Sequence, residues 1–452
     1  MCYNRKMENQ KQKGEPPVSE YHEKHPKIKQ KIEKPEKAFW ERIFSQDVLV
    51  SLVSLAKAAK EGLLALAVQV GLEVFRKLLE IEVTMKVGEK GKHNPNRQAY
   101  RHGYETGEII LGARKVKVQR PRARTLDGRE VELEVYKAFQ EEDMLSRAIL
   151  ERMIHGLSCR CYSSGLEDIG STVEAVGISK STLSRRFVEM TRKALGELLS
   201  RPLNDLDLLV LFIDGVVISD HTVVEALGID SEGCKHILGL WEGATENATV
   251  CKALLEDLVE RGLPKDRPML VVIDGSKALR KAVRDVLGDS VVVQRCRIHK
   301  MRNVLDHLPK THHLWGQQRL RAAWAEEDAG KAMVSLKRLA DSLEGEYPGA
   351  AASIREGLEE TLTVTRLGLT GHLKRILSST NIIESANSVA QGLAKRVKRW
   401  RDTGQILRWT AAGLLDAEKR FRRIQGYQQL PLLKAALERE AYHQERKEMV
   451  SD

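Results

Sequence analysis

The sequence lacks any long apolar run. Its longest apolar segment, GLLALAV at 62–68, is followed at once by Gln69 and then by Glu73. A membrane-spanning helix needs roughly 18 or more apolar residues in succession, so this segment is too short to cross a bilayer. The first 40 residues are polar, rich in Lys, Glu and Pro, and have no apolar centre of the kind found in a signal peptide. We therefore expect a cytoplasmic protein with a disordered basic tail over 1–40.

Cysteine is sparse and has neither the spacing of a disulfide scaffold nor that of a four-ligand zinc site. Scattered cysteines in a long chain are typical of a reducing compartment. The chain also has no internal repeat at the periods of solenoid proteins, which argues against a repeat architecture. The six cysteines are Cys2, Cys159, Cys161, Cys234, Cys251 and Cys296.

What the chain does have is length and positive charge. Its 452 residues are 42% apolar, which suggests two to four domains if each has roughly 100 to 200 residues. The formal net charge is +11 and the pI is about 9.2. A basic excess favours polyanionic partners, because neutralising phosphates releases condensed counterions. A basic surface that only keeps the protein soluble has the same composition, so charge alone favours nucleic acid only slightly.

Two regions precede the centre of the chain. Over 41–138, helical spacing of apolar residues is followed by alternation in EIILGARKVKVQRPRAR, which predicts helices and then a β-hairpin with a basic outer face. Over 139–203 the pattern predicts helices joined by short turns. There, Ser179 is suited to cap a helix whose apolar side carries Leu183 and Phe187. This arrangement is typical of the second helix of a helix-turn-helix, although any turn between amphipathic helices has the same pattern.

Two sets of basic and polar side chains are candidates for contacting DNA. One set lies on the polar side of the helix after Ser179, and the other lies in a dense basic run beside Trp400. Both sets could equally form a solvated surface. The first set is Lys180, Thr182, Arg185 and Arg186, and the second is Arg396, Lys398, Arg399 and Arg401.

The central block, 204–296, predicts a mixed sheet. The runs DLLVLFIDGVVI, TVVEALGID and KHILGLW indicate an antiparallel meander, which continues through alternating helices and strands to VVVQR. This order predicts an α/β mixed fold with helices on the faces of the sheet. Residues 297–378 have an almost wholly helical pattern with Trp315 and Trp324 as apolar anchors, and 379–452 predicts a further helix followed by basic helices.

Three acidic residues could converge from separate elements of this fold. Phosphodiester chemistry is often served by two divalent ions that two or three carboxylates hold. Asp214 lies on the first strand and Asp274 ends the fourth, so they would meet if these strands are neighbours in the sheet. Glu384, in the first turn of the helix that starts in TNIIES, is the candidate for the third carboxylate.

Each of these acids also has a simpler interpretation. Asp214 and the following glycine form a common hairpin signal, and Asn381 with Glu384 three positions later matches a capping box. The meander, however, needs its turn at about 219–221, which favours a position for Asp214 within the strand. Glu225, Glu242 and Glu246 also lie within or just after predicted strands, and Glu246 is the replacement third ligand if Glu384 only caps its helix.

The order of several motifs resembles that of the bacterial Mutator-type insertion-sequence transposases, relatives of the eukaryotic Mutator-like elements. From about 100, where YRHGYETG and QRPRAR stand, the resemblance runs to about 425 through LFIDGVV, LGLWEGATEN, LVERGLP, VVIDGSKAL, VVVQRCRIHKMRNV and STNIIES. The resemblance implies a ribonuclease-H-like catalytic core with a DDE triad and a helical insertion, here at 297–378. Residue by residue, the two aspartates fall on Asp214 and Asp274, and the glutamate falls on Glu384.

The resemblance also implies an activity and its partners. It implies a DNA transposase that binds terminal inverted repeats and target DNA, holds two Mg²⁺ or Mn²⁺ ions on the three acids, and assembles as at least a dimer at the bacterial nucleoid. The C-x-x-H signature of the family falls on Cys296 and His299, which we interpret, with Asn381, as a structural set because two ligands do not close a zinc site. A non-catalytic DNA-binding descendant and a nuclease without strand transfer are alternatives that the sequence leaves open.

Overall fold

The protein is described from a computed structural model that covers residues 46–92, 97–112, 114–140, 142–162, 165–243, 248–265, 267–288 and 291–451. The tail predicted over 1–40 lies outside these described residues. Within them, the five cysteines from Cys159 to Cys296 form no disulfide bond with one another. No helix in the described part of the chain is both long enough and apolar enough to span a membrane.

The N-terminal region packs a β-hairpin against a long helix. Phe75, Leu79 and Val83 line the buried side of that helix and contact Ile109 and Val116 of the hairpin. The predicted helices and strand pair are therefore confirmed. The elements are α1 (Gln46–Glu61), α2 (Leu63–Val87), β1 (Ala99–Leu111), β2 (Arg114–Thr125) and α3 (Glu134–Phe139).

The next region contains α4 (Glu142–Ile154), the short strand β3 (Ala175–Val176) and α5 (Lys180–Ser200). The predicted N-cap is confirmed, because the Ser179 side chain accepts a hydrogen bond from the Thr182 amide at 3.2 Å. Leu183 and Phe187 are buried, as their spacing predicted.

The short turn predicted before α5 is wrong. α4 ends at 154 and α5 begins at 180, and the described residues between them, 155–162 and 165–179, are irregular apart from β3. This connection is held to the N-terminal region, because β3 pairs with β2 and the Glu61 carboxylate accepts hydrogen bonds from the Ser171 amide and hydroxyl. A helix-turn-helix with a turn of three or four residues is therefore not formed here.

A five-stranded mixed sheet forms the centre of the molecule, in the order β6-β5-β4-β7-β8. β4 to β6 are antiparallel neighbours, whereas β4, β7 and β8 run parallel. This confirms the predicted meander and its continuation through helices α6 and α7. The elements are β4 (Leu208–Ile218), β5 (His221–Asp230), β6 (Lys235–Gly243), α6 (Ala248–Glu260), β7 (Met269–Ile273), α7 (Lys277–Leu287) and β8 (Val291–Arg295).

Both faces of the sheet are covered by helices, which explains why every residue of β7 and β8 is buried. α6 and α7 pack on one face, where Leu254 and Val283 contact strand residues such as Ile213. The helices near the C-terminus pack on the other face. They are α14 (Asn381–Ala394), α15 (Thr403–Glu418) and α16 (Leu430–Ser451), numbered after the helices of the next region.

Residues 297–378 form a helical region with its own apolar core, as predicted. Trp324 is buried in this core, and Trp315 is half-buried against it, so both act as the predicted anchors. The region joins the sheet at the end of β8 and leads back to it at the start of α14. Its helices are α8 (Arg297–Asp306), α9 (His313–Ala325), α10 (Ala329–Leu343), α11 (Pro348–Arg355), α12 (Thr363–Arg366) and α13 (Gly371–Leu377).

Candidate functional site

Asp214 lies inside a strand and not in a turn. It is the seventh residue of β4, where it is 6% exposed and pairs with Glu225 of β5. The chain turns at Ser219, whose φ of 59° is the left-handed value of a tight turn. The hairpin-turn interpretation of Asp214 is therefore wrong, and the predicted turn at about 219–221 is confirmed.

Asp274 follows β7, the parallel neighbour of β4. Ile213 pairs with Ile273, so Asp214 and Asp274 each come one residue after a paired position and lie side by side. The Asp274 Oδ1 accepts a hydrogen bond from the Ser276 amide at 2.8 Å. Gly275 has a φ of 114°, and a β-carbon there would lie 3.2 Å from the Arg295 side chain, so glycine lets the chain turn away directly after the acid.

Glu384 reaches the site from the first turn of α14. Its Oε1 accepts a hydrogen bond from the Thr380 hydroxyl at 2.7 Å and lies 4.0 Å from Nδ1 of His299. Thr380 occupies the N-cap position without a side-chain capping bond, and Asn381 is already helical. The capping box considered for Asn381 and Glu384 therefore does not form, and the Glu384 carboxylate lies beside Thr380 and His299.

The charges of the other two acids act on Asp214. Burial, and next the Asp274 carboxylate, raise the pKa of Asp214 to about 8; the Glu384 carboxylate adds to the increase, and His299 opposes it. Like charges brought together in a buried place disfavour ionisation unless a positive charge compensates them. Carboxylate oxygens are the type of ligand that Mg²⁺ and Mn²⁺ prefer.

Cys296 and His299 lie beside these acids at the junction of the helical region with the sheet. The hydrogen bond with Cys296 is the main cause that raises the pKa of His299 to about 9, against the effect of burial, and the charges of Cys296, Asp214 and Glu384 raise it further. Burial acts to raise the pKa of the Cys296 thiol, but hydrogen bonds with His299 and Thr380 outweigh it and lower the pKa overall. His299 therefore places positive charge next to the carboxylates, whereas the Cys296 charge adds to the repulsion on Asp214.

A second possible ligand set shares one residue with the first. Among the residues that the structure describes, single ligand atoms of Cys296, His299 and Glu384 lie within 4.8 Å of one another. Sulfur and imidazole ligands suit zinc, but a structural zinc site has four protein ligands. Cys296 is also fully buried, and its sulfur accepts a hydrogen bond from the Thr380 amide at 3.4 Å, so it already has a partner.

The other acids considered from the sequence have different surroundings. Glu225 is 1% exposed opposite Asp214, and burial, followed by the Asp214 charge, raises the pKa of Glu225 well above its usual range. Glu242 lies on β6, where its carboxylate is bonded to His221. Glu246 lies outside the described residues. The sequence analysis missed Thr380 and Asn387, whose only signal was a polar side chain near the glutamate.

The candidate DNA contacts divide into exposed and structural residues. Lys180 and Arg185 are exposed on α5, whereas Thr182 takes part in the N-cap and Arg186 donates to the Ser146 hydroxyl at 3.1 Å. In the second set, which follows α14 in a segment without regular structure, Arg396 donates to the Ile154 carbonyl at 2.6 Å and so holds the end of α4. Lys398, Arg399 and Arg401 are exposed in this segment.

These two sets belong to elements that pack together. Phe187 of α5 contacts Trp409 of α15, with ring centroids 4.9 Å apart, and Ile154 and Leu393 join the same apolar cluster. The exposed basic side chains therefore border one helical cluster, which lies beside the helix that carries Glu384.

The sheet, its helices and the three clustered acids define a mixed α/β protein with an acidic site at its central strands. The chain belongs to the family described as "Transposase, Mutator family", whose model matches residues 44–423. Members of this family are DNA-processing enzymes, and the membership supports a transposase function.

Individual relatives agree with this assignment. The chain is 28% identical over 355 residues to the transposase for insertion sequence element ISRM5 of Rhizobium meliloti (strain 1021), covering 77% of this chain and 86% of that protein. It is 30% identical over 241 residues to the transposase for IS6120 of Mycolicibacterium smegmatis, covering 51% and 71%. It is 27% identical over 353 residues to the transposase for IS256 in transposon Tn4001 of Staphylococcus aureus, covering 76% and 87%.

Proposed function

We propose that the protein is a DDE transposase that cuts and joins DNA strands at the terminal inverted repeats of an insertion sequence. In this proposal, Asp214, Asp274 and Glu384 hold two Mg²⁺ or Mn²⁺ ions. The observation that carries it is the convergence of these three acids from β4, the end of β7 and the start of α14. Burial, followed by the charges of Asp274 and then Glu384, raises the pKa of Asp214 to about 8, and a bound divalent cation would offset the repulsion among the acids.

The order of the strands supports a ribonuclease-H-like core. Three antiparallel strands are followed by two parallel ones, with β4 at the centre and helices on both faces. The helical region at 297–378 interrupts this core between β8 and α14, so that Glu384 returns to the sheet only after the interruption. Such an arrangement lets two acids come from rigid strands and the third from a helix.

The side chains have separate tasks in this mechanism. When bound, the two ions supply an activated nucleophile and stabilise charge on the attacking and leaving oxygens. Asp214 holds a fixed position within the buried strand β4, and Asp274 holds one directly after β7, which is buried and paired with β4. The Thr380 hydroxyl orients Glu384. His299, protonated at neutral pH, offsets part of the local negative charge. No serine or tyrosine nucleophile is required, so no covalent protein–DNA intermediate is proposed.

DNA binding in this proposal uses the exposed basic residues. Lys180 and Arg185 on α5, with Lys398, Arg399 and Arg401 after α14, are free to approach phosphates along the duplex. Phosphate contacts position a protein on DNA without specifying sequence. Two element ends must be brought together, so we also propose that at least two copies act in one complex.

The test uses purified protein, labelled DNA that carries an inverted repeat flanking the coding region, and Mg²⁺ or Mn²⁺. Wild-type protein should produce nicked or cut ends and then joined products. Asp214→Asn, Asp274→Asn and Glu384→Gln should bind the DNA but not cut it. Glu242→Gln is the matched control, since this acid lies in the same sheet but is bonded to His221.

Each other outcome has a defined meaning. Binding without any cutting by the wild-type protein would indicate a DNA-binding protein derived from a transposase. Cutting without joined products would indicate a nuclease that does not transfer strands. Unchanged cutting by Glu384→Gln would remove Glu384 from the triad.

A further inference from the structure

The buried acid Glu225 lies directly across from Asp214. The two residues are a registered pair between β5 and β4, and Glu225 is only 1% exposed. Paired residues of neighbouring antiparallel strands have their side chains on the same face, with β-carbons roughly 5 Å apart. Glu225 therefore occupies the same side of the sheet as Asp214, beneath the helix that brings Glu384.

Asn387 connects this acid to the helix. It is 5% exposed on α14, three positions after Glu384, and so on the same side of the helix. Its side-chain amide lies against two acceptors, the Ile383 carbonyl and the Glu225 Oε2, and we assign the amide nitrogen to this position because it then donates to both, at 3.1 Å to the Ile383 carbonyl. A continuous series of neighbours thus runs from Asp214 through Glu225 and Asn387 to Glu384.

We propose that Glu225 and Asn387 form a positioning pair that fixes α14 on the sheet and thereby sets the position of Glu384 relative to Asp214. The inference rests on the proposed function of the three acids. Neither member of the pair is assigned as a cation ligand; both act through Glu384.

A directional contact is needed because the rest of the helix interface is apolar. Ile383, Ala386 and Ala390 hold α14 against the sheet, and apolar burial has no preferred direction. Such a surface tolerates small rotations and shifts of the helix. A buried hydrogen bond does not tolerate them, because a displaced partner leaves a polar group without compensation.

The hydrogen bond from Asn387 is the one that the Glu225 carboxyl group has to the helix. Within the described residues, its other oxygen, Oε1, is buried and has no hydrogen-bond partner. Removing the Asn387 amide would therefore leave the whole carboxyl group without a donor. The cost of burying an unpaired polar group should move the helix and not merely weaken one contact.

The competing role for Glu225 is that of a cation ligand, and Glu225→Gln separates the two. Glutamine keeps an oxygen that can accept from Asn387, but it loses the carboxylate that a cation would need. A positioning role predicts that Glu225→Gln cuts DNA nearly as fast as wild type. A ligand role predicts that it is as inactive as Asp214→Asn.

The experiment measures kcat and KM for cleavage of the labelled element-end DNA, and Mn²⁺ binding from the paramagnetic resonance signal of free Mn²⁺. The variants are Glu225→Gln, Glu225→Ala, Asn387→Ala and the double variant Glu225→Ala/Asn387→Ala. Ser388→Ala on the exposed side of α14 is the control. Thermal melts establish that each variant is folded, and Asn387→Ala tests the pair from the helix side if Glu225→Ala does not fold.

We expect Glu225→Ala and Asn387→Ala to lower kcat by about tenfold or more, since misplacing a catalytic group by 1 Å can cost about 100-fold. KM for DNA should change by less than about threefold, because the DNA contacts lie elsewhere, and Mn²⁺ should bind more weakly. The double variant should be no worse than the poorer single variant, as members of one network are not additive. Glu225→Gln and Ser388→Ala should stay within about threefold of wild type in kcat and in Mn²⁺ affinity.

The proposal is overturned if Glu225→Gln loses Mn²⁺ binding and cleavage as Asp214→Asn does, or if the two alanine variants match wild type in both measurements. Additive losses in the double variant would equally overturn the pairing. Failure of the proposed function is recognised separately, because Asp214→Asn would then bind Mn²⁺ as the wild type does. The Mn²⁺ measurement also tests the pair in protein that cuts no DNA.

Discussion

Ala390 of α14 and Gly413 of α15 touch at their backbones. A β-carbon added to Gly413 would lie 2.6 Å from the Cα of Ala390, which is closer than any real contact of this kind. α15 therefore packs closely beside the helix that carries Glu384, on the same face of the sheet. This contact connects the packing of the C-terminal helices to the geometry of the candidate site.

Gly413→Ala should destabilise the protein and reduce DNA cleavage, because the two helices must separate to admit the methyl group. Overpacking of this kind costs about 1 to 3 kcal/mol. Chemical denaturation and the cleavage assay measure the two effects. Gly392→Ala on α14 is the matched control: nothing lies within 4 Å of its added β-carbon, so it should be neutral or stabilising. Equal behaviour of the two variants would contradict the close contact.

Arg297→Met should lower the free energy of unfolding by removing buried hydrogen bonds that join separate segments of the helical region. The buried guanidinium donates to the Thr361 carbonyl at 2.8 Å, the Trp324 carbonyl at 3.3 Å and the Thr365 hydroxyl at 2.9 Å. Leaving such acceptors unpaired costs about 1 to 3 kcal/mol each, so we expect a loss of about 2 to 4 kcal/mol in denaturant titrations. Arg302→Met, on the exposed side of the same helix, should change stability by less than about 0.5 kcal/mol. A similar loss in both variants would show that burial of Arg297 is not the cause.

Mn²⁺ or Mg²⁺ should raise the melting temperature of the wild-type protein, because a ligand that binds only the folded state stabilises it. The gain is about 2.7 kcal/mol when the free ion is at 100 times its Kd. Asp214→Asn should lose most of this gain, and Glu242→Gln should keep it. An equal response of Asp214→Asn would mean that the ions bind elsewhere on the chain.

Chelator-treated protein should become less stable as the pH rises from about 4 to about 8. The folded-state pKa of Asp214 is raised to about 8 by burial and by Asp274, whereas the unfolded carboxyl titrates near its usual value of about 3.9. The unfolded state therefore loses its proton first, and the stability that this carboxyl contributes at low pH is lost as the pH approaches 8. The slope is up to about 1.4 kcal/mol per pH unit for one group. Denaturant titrations across this range should have a smaller slope in Asp214→Asn, and identical slopes would contradict the raised pKa.

Replacing Lys398, Arg399 and Arg401 together by alanine should weaken the salt dependence of DNA binding. Each lost phosphate contact should reduce the slope of log K against log salt by about 0.9. Fluorescence anisotropy at several salt concentrations measures this slope. Arg396→Ala should leave the slope unchanged and lower stability instead, because its guanidinium is bonded to the Ile154 carbonyl. An unchanged slope in the triple variant would mean that those charges do not contact DNA.

The sequence by itself determined the order of helices and strands and the place of Asp214 within a strand. Alternation and helical spacing are properties of neighbouring residues, so strands such as β4 and β7 can be predicted from their own segments without the rest of the chain. The position of the turn after β4 followed from the same pattern. Because β4 and β7 are adjacent, Asp274 lies beside Asp214, as the sequence predicted for neighbouring strands.

Only the tertiary structure decided which side chains meet. Asn387 and Glu225 lie far apart in the chain, and Arg396 is 242 positions from Ile154, so no local pattern indicates either contact. Because local patterns do not indicate distant partners, the basic run predicted a DNA contact for Arg396, which instead bonds the Ile154 carbonyl. For the same reason, the local pattern was consistent with a capping role for Glu384. Local spacing specifies what each segment can form, whereas the partners of a buried polar group depend on how distant segments pack, since each must be satisfied by whatever donor or acceptor the fold brings to it.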